Sequence, residues 1–102
     1  MNVEEMLAGV KNWFKTSVEP NIQQGNLLVA RIEMSNLYLT IREDYARHFA
    51  PYASGTSFVA AAGVLEKAII DGKDLSEEVE MFNAYLGQLG LAIKAGNKAR
   101  PQ

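Results

Sequence analysis

Apolar residues recur at intervals of three and four in four blocks along the chain, the spacing that lines one face of an α-helix. In the first block Val3, Met6, Leu7, Val10, Trp13, Phe14 and Val18 fall on one side. Glu4, Glu5, Lys11, Asn12, Lys15 and Thr16 take the other. Asn2, with Glu5 three residues later, has the pattern of a capping box and marks a helix start. Glu19-Pro20 predicts the end of this helix, because the residue before a proline is pushed out of the helical region. PNIQQGN then reads as a connector with room for one helical turn, and Asn26 as a cap for the next element.

The second block, LLVARIEMSNLYLTIREDYARHF, fits two templates. Leu28, Ala30, Ile32 and Met34 against Leu37, Leu39 and Ile41, across Ser35-Asn36, alternate as a β-hairpin would. Over the full length the helical template fits better. Leu27, Ala30, Met34, Leu37, Tyr38, Ile41, Tyr45 and His48 share one face, and Glu33, Asn36, Thr40, Glu43, Asp44 and Arg47 share the opposite one. Alternation also fails after Ile41, and Ser35-Asn36 lacks the Asn-Gly chemistry of a tight hairpin. The expectation is one helix from Leu27 to Phe49, about 35 Å long at 1.5 Å per residue. Leu28, Ile32, Leu39 and Ala46 add a second, narrower apolar stripe, set off by Arg31, Ser35 and Arg42. Two stripes call for neighbours on two sides, either a corner within one bundle or contact with another chain.

APYASGTS breaks the pattern, and Thr56 or Ser57 is expected to cap a third helix with Phe58, Ala61, Ala62, Val64, Leu65, Ala68 and Ile69 inward. Gly72 is the natural left-handed residue to close it. Asp74, with Glu77 three residues on, caps a fourth helix carrying Leu75, Val79, Phe82, Leu86, Leu89 and Ile93. Acids at its start and Lys94 near its end complement the helix dipole. The fold class predicted is all-α: a small four-helix bundle of two helical hairpins with a long second helix. Residues 1–96 form a single helical domain and residues 97–102 a short basic tail.

Composition narrows the function more than it names it. The 102-residue chain has no cysteine, which excludes disulfides, thiolate metal sites and cysteine catalysis. A net charge of -2 argues against phosphate-backbone binding, so no nucleic acid is expected as a partner. Glu4 and Glu5 stand where a secretory leader needs positive charge, and the run FVAAAGVL is too short to span a bilayer; no membrane partner and a cytoplasmic location are expected. Charge is unevenly spread: Glu66 to Glu80 is acidic, whereas Lys94, Lys98 and Arg100 leave the end basic.

REDYARHFAPYASG, residues 42–55, concentrates chemistry-bearing side chains, including the sole histidine. Asp44 and His48, four apart on one helix face, could share a metal, but no second histidine and no Glu-x-x-His motif complete a ligand set. His48 at a helix end, where a cation is favoured, accounts for the residue without chemistry. Tyr45, Phe49 and Tyr52 around the bend have the composition of a recognition corner. DGKD lacks the ligand spacing of a calcium loop, and a helix-turn-helix would present Glu77, Glu78 and Glu80 to phosphates. Gly87 and Gly90 are expected to pack against the thin AAAG surface of residues 60–63, or else to open a groove for a partner.

No catalytic residue, cofactor or metal ligand is therefore assigned. The expected function is a non-enzymatic protein–protein interaction module, an adaptor, inhibitor or assembly subunit of the bacterial or phage accessory type. It would self-associate as a homo-oligomer and bind a protein partner through Leu28, Ile32, Leu39, Tyr45, Phe49 and Tyr52. The competing class is a small-ligand or metal-binding enzyme with its site completed between subunits around Asp44, Tyr45, His48 and Tyr52.

Overall fold

The computed structural model describes residues 1–72 and 74–96, and among them every regular element is helical, with no strand. The β-hairpin template for the second block therefore does not apply. The first helix, residues 3–23, starts on the expected capping box: the Glu5 N–H donates to Asn2 Oδ1 at 2.8 Å, and the Asn2 N–H to Glu5 Oε1 at 2.9 Å. The helix does not stop at Glu19-Pro20. It is α-helical over Val3–Trp13, widens into a π-turn over Phe14–Val18, and resumes over Glu19–Gln23. A proline ring inside a regular helix collides with the carbonyl four residues earlier. The wide turn, in which the Glu19 N–H reaches back to the Phe14 carbonyl, places Pro20 in the opening turn of a new segment. Gly25, at φ 78°, ends it.

The second helix, residues 27–49, is continuous as expected, but it too carries a π-turn, Ile41–Tyr45, between Leu27–Thr40 and Ala46–Phe49. Asn26 occupies its N-cap position without a side-chain capping bond. The Ala46 N–H bonds the Ile41 carbonyl, one residue further back than in an α-helix. That extra residue shifts the pattern by one position. His48, expected on the inner face, is exposed, and Phe49 is fully buried in its place.

The third helix, Gly55–Asp71, begins two residues before Ser57, with Ser54 rather than Thr56 or Ser57 in the cap position. The reason is a close backbone approach: a Cβ on Gly55 would overlap the Phe49 carbonyl oxygen, so only glycine starts a helix there. Gly72, at φ 70°, closes it as expected. The fourth helix, Ser76–Ala95, has Leu75 and not the expected Asp74 at its N-cap position, without a side-chain capping bond. Asp74 stands one residue earlier, its Oδ1 accepting from the Ser76 N–H at 3.1 Å and from the Ser76 hydroxyl at 2.8 Å.

One core joins all four helices. Its centre is a relay of rings in which Phe14 meets Phe82 at 4.3 Å, Phe82 meets Phe58 at 5.1 Å and Phe58 meets Phe49 at 5.9 Å, all four fully buried. Met34, Leu37, Ile41, Leu65 and Leu89 surround it. Val64, expected inward, is 51% exposed. Polar pairs fix the helices sideways: Trp13 Nε1 donates to Glu33 at 2.9 Å, Asn83 to Glu19 at 3.1 Å, and the Ser35 hydroxyl to Glu66 at 3.1 Å. The first helix touches the second and fourth, and so does the third, which sets the second and fourth helices on a diagonal. Lys98 and Arg100 of the expected tail lie outside the described residues.

Candidate interaction surface

The second stripe of the long helix is not covered by the other described residues. Ala30, Met34, Leu37 and Ile41 point into the core at 0% exposure, whereas Leu28, Ile32 and Leu39 are 70%, 52% and 49% exposed. Around this helix, Glu33 marks the flank held by Trp13, and Ser35 marks the flank held by Glu66. At 100° per residue the three exposed side chains lie beyond Ser35, on the outer side of the seam with the third helix. The pairs Ser35–Glu66 and Tyr38–Gly63 define an antiparallel register along that seam. The same register brings Ile70 of the third helix, 46% exposed, level with the turn that holds Ile32. The result is an apolar strip shared by two helices at one corner of the molecule. Ala46 is half-buried and adds little to it.

The aromatic corner divides differently from expectation. Phe49 belongs to the core at 0% exposure, so its ring is not on the surface. Tyr45 and Tyr52 are half-buried and pack against the core, with the Tyr45 ring 5.9 Å from that of Phe49 and its hydroxyl 3.9 Å from Met1 Sδ. Backbone bonds lock the bend: the Tyr52 N–H donates to the Phe49 carbonyl and the Gly55 N–H to the Tyr52 carbonyl, each at 3.0 Å. Ser54 sits in the left-handed region at φ 68°, with its hydroxyl 3.0 Å from Gln88. Asp44 and His48 are both exposed, and the Arg47 guanidinium Nε lies 3.4 Å from His48 Nε2. No group of three or more potential metal ligands occurs among the described residues.

A second surface was only partly foreshadowed. Gly63 packs against Tyr38 of the second helix, and Gly90 faces Leu7 of the first, whose Cδ2 a Cβ on Gly90 would meet at 3.6 Å. The third and fourth helices do pack together as expected, but not through these glycines. A groove of about 820 Å³ lies instead between the first and fourth helices, lined by Leu7, Ala8, Lys11, Gly87, Leu91 and Lys94 among others. A Cβ on Gly87 would meet nothing within 4 Å, and Leu91 at the lip is 71% exposed. The available signal was a mid-helix glycine four residues before a leucine that the fourth helix's inward spacing does not use.

No known protein family, characterised protein or solved structure matches the chain. No helix among the described residues is long and apolar enough to cross a membrane.

Proposed function

We propose that this chain is a non-enzymatic interaction module, a four-helix bundle of two hairpins that associates with copies of itself and with a protein partner through its helix faces. The observation that carries this reading is the exposed strip of Leu28, Ile32 and Leu39, which the chain's own packing leaves uncovered. Contiguous apolar surface of this kind marks contact sites in globular proteins. Its energy is modest. Covering the exposed half of each side chain is worth about 1 kcal/mol, so two strips pressed together gain about 6 kcal/mol. Association itself costs about 4 kcal/mol or more, so the strip alone supports a weak, reversible contact.

The test is sedimentation of the wild-type chain beside an Ile32→Glu, Leu39→Glu variant at high micromolar concentration. Both positions are exposed, so the variant should keep the helical content of the parent while its average mass falls. A wild-type chain that is monomeric in low salt sinks the reading, as does an assembly that ignores the double substitution.

A further inference from the structure

The diagonal arrangement of the second and fourth helices puts the groove at the far corner of the molecule from the strip. We infer that the groove receives the fourth helix of a second copy of this chain, in an antiparallel contact centred on Gly87. Three observations converge on that occupant. Gly87 is exposed in mid-helix with nothing within 4 Å of its Cβ position, so the chain's own packing gives no reason for a glycine there. An absent side chain is what lets another helix approach closely. Leu91, at 71% exposure, is one turn further along on the same face.

The third observation is charge. Glu80 and Lys94 are each seven residues from Gly87, on the same helix face, and both are exposed. Neither takes part in an ion pair, the two that occur among the described residues being Lys15–Glu19 and Arg42–Glu43. In an antiparallel pair centred on Gly87, Glu80 of each copy comes level with Lys94 of the other, and Leu91 with Asn83. The complementarity is generated twice by the two-fold axis, as an isologous contact requires. A parallel or off-centre neighbour would lose it.

This contact is independent of the strip, although together the two would build assemblies larger than a dimer. The experiment uses the strip-disabled Ile32→Glu, Leu39→Glu chain, with circular dichroism to confirm folding, so that only the fourth-helix contact is read. Sedimentation should find a dimer. Adding Leu91→Glu should abolish it, and adding Gly87→Leu should do the same while leaving the thermal midpoint unchanged or higher. Glu80→Lys and Lys94→Glu should each raise the dissociation constant about tenfold in low salt. Combined, they should restore it. A strip-disabled chain that is monomeric overturns the inference, as does a dimer indifferent to Leu91→Glu and Gly87→Leu, or a double reversal no tighter than the single ones. If the strip substitutions leave the wild-type mass unchanged, the strip reading fails while the Leu91→Glu outcome still judges the groove.

Discussion

Deleting Asp44 should be tolerated, whereas deleting Asn36 from the same helix should not. Removing one residue from a regular helix turns everything beyond it by about 100°. After loss of Asn36, Tyr38 and Arg42 would take the places of Leu37 and Ile41, both of which are fully buried. Displacing each costs about 2–5 kcal/mol, before adding the penalty for an arginine in the core. That total rivals the whole stability of a small domain, about 5–15 kcal/mol. Asp44 is different because it lies in the π-turn Ile41–Tyr45. Its removal makes the Ala46 N–H to Ile41 carbonyl bond an ordinary α-helical one, and Leu37, Ile41 and Phe49 keep their positions. The expected cost is about 1 kcal/mol or less, typical of an exposed site. Urea unfolding followed by circular dichroism reads both variants. The first helix supplies the contrast: deleting Thr16 removes the wide turn that accommodates Pro20 and should cost about 3 kcal/mol, recovered by Pro20→Ala. If the Asp44 deletion fails to fold, or costs as much as the Asn36 deletion, the π-turn is not a removable insertion and the reasoning is wrong.

The same register shift predicts unequal neighbours: Phe49→Ala should lower stability by about 3–5 kcal/mol, and His48→Ala by no more than about 0.5 kcal/mol. Equal costs in denaturant titration, or the reverse order, would contradict the placement of Phe49. Hydrogen bonds from the Ser76 backbone and then its hydroxyl hold the Asp74 carboxyl below its ordinary value of 3.8. A depressed carboxylate stabilises the fold above its unfolded value, and that contribution is lost as pH falls from 3.8 through the lowered value. Urea midpoints at pH 5 and pH 3 should therefore differ less for Asp74→Asn, which keeps an acceptor without the titration, than for the parent; an identical difference would count against the assignment.

The inward faces of the helices were legible because period is a property of neighbours in sequence: Met6, Val10, Phe14, Met34, Leu37, Phe58, Leu65, Phe82 and Leu89 all reach the core. The two π-turns were not. Inserting one residue leaves the local apolar spacing intact on either side and alters only the phase between the halves, so His48 and Phe49 exchanged roles without a visible break. Pro20 carried part of the signal, since a proline inside continuing amphipathic pattern demands either an end or a distortion, and only packing decides which. Gly55 was readable as a turn former but not as a contact with the Phe49 carbonyl, which depends on how two helices meet. The exposed stripe of Leu28, Ile32 and Leu39 was visible; whether the chain would cover it was a tertiary matter. Val64 shows the limit in the other direction, since its helical spacing suits the core yet it lies half in solvent.

An exposed leucine is unremarked on most protein surfaces, because too little polar surface exists to cover a globule. Here the arrangement adds weight that the single residues lack. The core is complete without them: four phenylalanines and their aliphatic neighbours join every helix, and each helix is also pinned sideways by a polar pair. Leu28, Ile32 and Leu39 stand at one corner and Leu91 at the diagonal one, so no single neighbour covers both. The groove corner retains a helix-interior glycine that costs about 1 kcal/mol relative to alanine. If each corner pairs with its own copy, both two-fold axes lie in their contact planes, on opposite sides of the molecule. Axes in roughly parallel planes do not meet, and rigid pairing through both corners then extends along a line instead of closing into a ring. Average mass would rise with concentration without reaching the plateau of a closed oligomer, and each corner disabled alone would leave a simple dimer.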